Sequence, residues 1–560
     1  MVKKPSFNVK NIIRNVLGED PLKINELPLA TVPDYMRKKG GFWYWTGAVT
    51  SMAFVYQVVT GLLLLLYYNP GNAYNTTEYI LNSVPYGELI LTTHLYGAYA
   101  MIVLIYIHMF RNYFSGAYKR PRELQWITGL ILLALTIGVG YFGYSMTGDV
   151  LSADATDVGR GIALSVPVLG NISEYILFGN GTNTSLFIRM LGWHVILAAL
   201  VGALFGFHFY LAEANGIMPS QRSVNYTAPA IEKDKPEHKS WFPYNLLFMM
   251  QLGAFSFGIF ILLPSAVDAL RALNMGVPAI FDPFPQVAPS SPLASYVPPY
   301  PPWFLLFVYK AVDFKMFNVF GGYSALAASI WFGGLPLIYF LLVPFIDRSK
   351  NLHPLSRSIF TAFGVIAIIY LIVLSAWGVL APGIPISTTD VTYVLLPPFV
   401  IVIAFFLLLG HFYKKGAFTP SISKISASFG IFMILLIIGI FEMAMQFSSI
   451  LHGINTGNMS ELGIFGSATI FAAFGTVKSA DYANLARIET QKTKGITVSI
   501  RTAKALVSIL FIISAEILWL MIQANPLNLV QEAVFGIGLG ALLIIVGIGI
   551  RIYRLAYYYE

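Results

Sequence analysis

The residues with the clearest chemistry in this chain are histidines, and there are only eight in 560 residues. Four of them fall in two apolar stretches with the same spacing. His94 and His108 lie in TTHLYGAYAMIVLIYIHMFR, and His194 and His208 in WHVILAALVGALFGFHF. Fourteen residues are about 3.9 helical turns, so the two imidazoles of each stretch emerge on nearly one face, ~21 Å apart along the axis. An imidazole in hydrocarbon is costly without a partner. A single buried histidine is more often a proton relay or a helix–helix hydrogen bond. Two matched pairs on parallel helices instead predict two facing levels, His94 with His194 and His108 with His208. Facing imidazoles can hold a haem iron between them, and six-coordinate iron with no open position carries electrons rather than oxygen chemistry. The other four, His238, His353, His411 and His452, fall at membrane borders or in loops and are given no role.

Glycines repeat the histidine spacing. Gly47 and Gly61 are fourteen apart in one apolar stretch, Gly129 and Gly143 in another. Glycine in a membrane helix admits something close to its backbone, either a neighbouring helix or, at this spacing, a flat macrocycle. Arg111 and Arg189 stand three after His108 and five before His194, where haem propionates would need a cation, although either could be an interfacial anchor.

These residues need long apolar helices to hold them. The chain is 56% hydrophobic and 11% charged, with a mean hydropathy of +0.68, the composition of an all-α integral membrane protein. At ~20 apolar residues per span, about twelve spans are predicted, near 43–68, 88–114, 126–147, 190–213, 244–267, 322–346, 358–380, 391–413, 425–448, 462–477, 505–523 and 533–550. Lys and Arg concentrate before the first span and in every second connection, while residues 69–87 and 381–390 carry none. The charge bias therefore predicts a multi-pass plasma-membrane protein with both termini cytoplasmic. A net charge of +8 then reads as contact with membrane lipid rather than with nucleic acid. The absence of cysteine excludes thiolate-ligated iron–sulfur clusters, C-x-x-C-H haem attachment and disulfides. Two long connections, 148–189 and 268–321, lie on the outer side, and the second contains FDPFPQVAPSSPLASYVPPYPPW, a stretch too rich in proline for a helix. Four segments follow: a cytoplasmic N-terminal segment 1–42, a dihaem four-helix bundle 43–215, a second half 216–415, and a membrane extension 416–560.

At these residues the chain resembles cytochrome b of the quinol-oxidising cytochrome bc complexes. The likeness runs through QVVTG at 57–61, HMFR at 108–111, GYFGY at 140–144, RMLGWH at 189–194, PPWFLLFVY at 301–309 and PFIDRSKNLHPLSR at 344–357, covering residues 40–415. The extension is similar to that of archaeal cytochrome b subunits built into quinol oxidase assemblies. The resemblance implies two haems, b-type by default with an a-type variant open, and a membrane quinol as substrate. It also implies a Rieske-type iron–sulfur partner, terminal oxidase subunits and a homodimer. It places Gln57 at a haem, Pro301, Trp303, Phe304 and Tyr309 at the outer quinol site, and Glu213 at the inner quinone site. The chain departs from the family where proton chemistry is expected. The family's outer motif Pro-Glu-Trp-Tyr stands here as Pro301-Pro302-Trp303-Phe304, leaving Asp154, Asp157, Asp268 and Asp282 as nearby carboxylates. The lysine–aspartate pair of span five falls in Met249-Met250-Gln251.

Three functions compete on sequence alone. The first is a dihaem subunit of a quinol-oxidising oxidoreductase, passing electrons across the bilayer. The second is an electron-wiring or structural subunit of a terminal oxidase with degenerate quinol sites. The third is a proton-coupled secondary transporter using the histidines as relays. Glu442 and Glu516 fall inside the ninth and eleventh spans, where a carboxylate serves a proton path, a clasp to a partner, or an inter-helix hydrogen bond.

Overall fold

In the computed structural model the described residues are 36, 44–216, 218, 227–229, 239–273, 287–415 and 498–558. Lipid offers no hydrogen bonds to a bare backbone, so the apolar segments close theirs internally as helices. Ten helical segments among the described residues are long and apolar enough to cross a membrane. They correspond to ten of the predicted spans; spans 425–448 and 462–477, with Glu442, lie outside the described residues.

The first half is built from α1 (Thr46–Leu65), α2 (Ala73–Ser83), α3 (Gly87–Ser115), α4 (Glu123–Tyr144), α5 (Val150–Leu164), α6 (Gly170–Phe178) and α7 (Asn183–Asn215). α1 packs along α3, and α4 along α7. The outer connections are more helical than the sequence implied. α2 and the α5–α6 pair are short, half-polar helices without the unbroken apolar run of a span. Their starts are set locally: the Asp149 carboxylate accepts from Ser152 N at the head of α5, and Thr182 Oγ1 from Ser185 N at the head of α7. Gly116, at φ 76°, closes α3 in the left-handed region that glycine tolerates.

The second half adds α8 (Leu246–Ala272), the short α9 (Leu306–Val312), and a span over Lys315–Ile346 that contains α10 (Ser324–Ser329) and α11 (Leu335–Ile346). α12 (Ser358–Leu380), α13 (Thr388–Lys414), α14 (Ile500–Ile522) and α15 (Leu529–Tyr557) complete it. The last helix docks along α8 with backbones in close approach. A Cβ at Gly258 would stand 2.9 Å from the Gly540 carbonyl oxygen, and one at Gly547 3.2 Å from the Phe255 ring. Small residues at such a seam replace the hydrophobic drive that lipid cannot supply. Polar contacts pin both ends of α15. Glu532 Oε2 accepts from Leu89 N (3.2 Å), and the buried Arg554 donates to Gln251 Oε1 (2.8 Å). α14 is mostly exposed, and its Glu516 lines an open apolar groove with Phe511, Ile512 and Trp519.

A buried ionic clasp joins the α3–α4 connection to the segment between α11 and α12. Asp347 receives Lys119 Nζ at 2.8 Å, Tyr118 Oη at 2.6 Å and Ser349 Oγ at 2.8 Å. Arg357 Nη1 lies 3.5 Å from the same carboxylate, and its Nη2 donates to the Phe114 carbonyl. Burial alone pushes the Asp347 carboxyl up, but the hydrogen bonds from Lys119, Tyr118 and Ser349 outweigh it and hold it below the usual carboxylate range. A depressed carboxyl stabilises the fold above its unfolded value near pH ~3.9 and loses that stabilisation as pH falls through its folded value. Asp347→Asn leaves Lys119 and Arg357 buried beside a neutral amide, a loss of about 3–5 kcal/mol. Thermal unfolding in detergent should show a lower midpoint for the variant near neutral pH, with a weaker acid limb below pH ~4 than the native chain.

Candidate haem and quinol sites

The histidines meet as their spacing predicts. The His94 and His194 ring centroids lie 6.4 Å apart. Two imidazoles bound at about 2.0 Å to one metal have ring centroids a little over 6 Å apart, so this pair stands at the separation an iron between them requires. His108 and His208, fourteen residues further along the same two helices, are within electrostatic range of each other.

Each ring is held by its Nδ1. Thr60 Oγ1 lies 2.8 Å from His94 Nδ1, Thr46 Oγ1 3.1 Å from His108 Nδ1, and Thr128 Oγ1 3.0 Å from His208 Nδ1. His194 Nδ1 instead donates to the Val139 carbonyl at 2.9 Å. The threonine geometry selects the tautomer. Thr60 and Thr128 give their hydroxyl protons to the carbonyls of Tyr56 and Gln125, so each receives a proton from imidazole Nδ1. His108 Nε2 accepts from Asn112 Nδ2 at 3.1 Å, which again puts the proton on Nδ1. All four rings therefore carry an anchored proton on Nδ1 and their lone pair on Nε2, the atom an iron would take; at His108 the Asn112 amide holds that lone pair.

The glycines sit against these same rings. A Cβ would stand 3.1 Å from His94 Cε1 at Gly61, 2.9 Å from His108 Cε1 at Gly47, 3.1 Å from His208 Cε1 at Gly129, and 2.8 Å from His194 Cε1 at Gly143. Sequence reasoning assigned this space to a macrocycle face; in the structure an imidazole edge takes it. It missed the threonines, although a signal was present. Gln-x-x-Thr-Gly occurs at 57–61 and again at 125–129. The glutamines lie one turn before two anchoring threonines, and Gln57 Nε2 and Gln125 Oε1 are buried with no hydrogen-bond partner. Orphaned polar atoms beside glycine-cleared rings fit a large group bearing polar edges. At the ends, Arg111 lies over the Tyr44 ring (4.9 Å), and Arg189 lies over the Tyr175 ring (5.3 Å) and donates to the Tyr175 carbonyl. His353 caps Leu355 N and stacks on Tyr413. His238, His452 and Asp282 lie outside the described residues.

The outer motif is ordered around α9. Pro301, Pro302 and Phe304 are buried, and a Cβ at Gly140 would stand 3.0 Å from Phe304 Cζ. Trp303 meets Tyr99 edge to face at 5.3 Å, and its Nε1 is buried with no hydrogen-bond partner. Tyr309 Oη donates to the Ala155 carbonyl at 2.9 Å, fastening α9 to α5. Glu213 lies half-buried in the last turn of α7. On α8, Met249 and Met250 precede Gln251, whose carbonyl oxygen is held by Arg554.

The chain is 41% identical over 403 residues to cytochrome b of Sulfolobus acidocaldarius, covering 70% of each chain. The chain belongs to the cytochrome b family. The family described as Cytochrome b(N-terminal)/b6/petB matches residues 99–289. The cytochrome bc complex cytochrome b subunit of Chlorobaculum thiosulfatiphilum is 30% identical over 62% of this chain and 77% of that one. A chain of a hyperthermophilic respiratory Complex III shares the fold, with a TM-score of 0.50 and 24% identity over 72% of this chain and 95% of that chain. This cytochrome b is therefore a multi-pass membrane protein of the bc-type respiratory electron-transfer family, one that carries haem and interacts with quinones. The transporter reading falls with that membership.

Thr60→Val keeps the shape beside His94 but removes its Nδ1 acceptor. Loss of the group that holds the far nitrogen of a metal-binding imidazole costs about 10–100-fold in metal affinity. The variant should lose part of its haem under dilution or mild detergent stress, measured as haem-to-protein ratio, where the native chain retains it.

Proposed function

We propose that this cytochrome b holds two haems, one between His94 and His194 near the outer face and one between His108 and His208 near the inner face, and carries electrons inward from a membrane quinol. The 6.4 Å separation of the His94 and His194 rings, with the proton of each held on the distal nitrogen, is the observation that carries the reading. When bound, haems in b-type or a-type form supply reversible one-electron chemistry at six-coordinate iron. The protein's part is to hold four imidazoles in one tautomer, keep their Nε2 atoms facing inward, and exclude water from both levels. Gly47, Gly61, Gly129 and Gly143 let the rings sit flush against α1 and α4, Gln57 offers an amide to the outer level, and Arg111 and Arg189 supply cations for propionates. The two levels stand ~21 Å apart along the helices.

The quinol reading rests on the outer motif. Trp303 Nε1 is a buried donor that no protein group accepts, and a quinol or quinone oxygen would satisfy it. Pro301, Phe304 and Tyr309 form the wall around it. Glu213, five residues after His208, is the candidate at an inner quinone site. Residues 43–215 then form the dihaem bundle and 216–415 the half that completes the quinol sites, while 416–560 adds the extension whose last helix packs on α8. The second electron of each quinol passes to a Rieske-type iron–sulfur partner docked on the outer connections 148–189 and 268–321. Terminal oxidase subunits and a second copy of the chain complete the assembly in the plasma membrane, with both termini cytoplasmic. A wiring subunit with degenerate quinol sites is the second reading, favoured by the missing carboxylate at Pro302 and by Arg554 engaging Gln251 where the family carries proton-transfer groups.

His108→Leu should remove the inner haem alone, halving the low-spin reduced-minus-oxidised signal of the purified protein and leaving one spectral component. Loss of neither component would overturn the pairing. Trp303→Phe keeps the ring and removes one N–H, worth about 0.5–1.5 kcal/mol. Quinol-dependent haem reduction should slow several-fold while reduction by dithionite is unchanged, and an unaltered quinol rate would favour the wiring reading.

A further inference from the structure

Beside the outer motif lies a cavity of about 120 Å³, walled by Pro301 and Tyr309 of the motif, Gly378 at the end of α12, and three charged residues, Asp154, Lys310 and Asp313. An apolar cavity of ~150 Å³ takes a benzene ring, so this space is of the order of one quinol head group. We propose that Asp154, on α5, is the base that takes a quinol hydroxyl proton in this cavity, in place of the carboxylate missing at Pro302. This rests on quinol being oxidised at the outer motif.

Of the four aspartates that the sequence offered, the cavity contains one. Asp157 points outward, 76% exposed, and lies 3.8 Å from Arg160. Asp268 is buried in α8, outside the cavity wall. Asp282 lies outside the described residues. Asp149 caps the head of α5, its Oδ1 accepting from both Ser152 N and Thr147 Oγ1. Asp154 is half-buried, and among the described residues its carboxylate makes no hydrogen bond or ion pair, so its lone pairs are free to accept.

The groups around it suit the role. Burial, with Asp157 and Asp149 on the same helix, pushes the Asp154 carboxyl above the usual range and makes it a stronger base. From α4, the phenol of Tyr144 lies within electrostatic range. From α9, Tyr309 gives its hydroxyl proton to the Ala155 carbonyl, and its neutral phenol oxygen is too weak a base to take a quinol proton. The Lys310 ammonium is held by the carbonyls of Ala381 (2.8 Å) and Ile384 (2.9 Å), and it also lies 3.1 Å from Asp313 Oδ2. Asp313 thus already has a cationic partner, whereas Asp154 has none. A fixed ammonium in the same cavity stabilises negative charge developing on the quinol oxygen.

The step is a proton transfer alone. The quinol O–H bond breaks, an O–H bond forms on the Asp154 carboxylate, and the electron pair stays on the oxygen as quinolate. No oxidant is needed until the electrons leave afterwards. The proton then leaves to outside water from a residue that is half exposed.

The test uses the intact complex and a short-chain naphthoquinol and benzoquinol, with haem reduction followed by stopped flow across pH. The native rate should rise with pH through the Asp154 titration. Asp154→Asn should lose that limb and slow quinol-dependent reduction about 100-fold, with the dithionite-reduced spectrum unchanged. Asp154→Glu should recover most of the rate with a shifted profile, and Asp157→Asn should keep the native limiting rate with the Asp154 limb moved to lower pH. In infrared difference spectra, the protonated-carboxyl band that appears on quinol addition should be absent from Asp154→Asn. An Asn variant with native rate and profile would overturn the role of Asp154 while leaving quinol oxidation standing. A native complex whose haem neither quinol reduces would overturn the outer-site reading, and Asp154 with it.

Discussion

An imidazole buried in a lipid-spanning bundle has two nitrogens, and neither can be left to water. Nearly everything around the four histidines follows from fixing the proton on one nitrogen and leaving the lone pair on the other. The hydroxyls of Thr46, Thr60 and Thr128 and the carbonyl of Val139 take the Nδ1 protons. Thr60 and Thr128 can do so because the helix offers each hydroxyl a carbonyl one turn back, from Tyr56 and Gln125. The tautomer of a histidine on one helix is thus set by the backbone of its neighbour. The cost is tight packing: the residue after each of these threonines must be glycine, since a Cβ there would meet the ring at 2.9–3.1 Å.

That packing requirement governs the architecture. Helices α1 and α4 must lie close to α3 and α7 along the whole fourteen-residue interval, so they form two intimate pairs rather than an even bundle. Long apolar helices in lipid have no hydrophobic drive to stay so close. Polar closures at the ends supply it. On one side Asp347 gathers Lys119, Tyr118 and Arg357 from the connections of both halves. On the other, Glu532 at the head of the last helix reaches the start of α3, while Arg554 near the far end of that helix holds Gln251 on α8. The C-terminal helix is therefore a brace on the histidine bundle as well as an added span.

The cavity beside α9 draws its charged lining from more than one segment of the chain. Position 302 is proline, yet the same cavity receives Asp154 from α5 and the Lys310–Asp313 pair from α9. These residues come from segments about 150 positions apart, joined by the Tyr309–Ala155 hydrogen bond. A wall built by several elements can hold a carboxylate at a different point of its lining, because the substrate meets the lining and not the motif.

The spans, the four histidines and their two levels were legible in the sequence, because each depends on one helix at a time. Rise and turn per residue are constants, so His94 to His108 and Gly47 to Gly61 report their common faces without knowledge of any neighbour. Hydropathy marked ten of the described spans to within a few residues at most ends for the same reason; the outer helices α2, α5 and α6, half-polar and short, gave no such run. Tertiary structure alone decided which ring each glycine admits, that threonines and one carbonyl set the tautomer, which of four aspartates reaches the cavity, and that the last helix seats on α8. Those are contacts between residues 33 to 303 positions apart, from Gly61–His94 for the nearest to Gln251–Arg554 for the farthest. No period along a single segment encodes them, because they arise only when separate helices compete for the same ångströms.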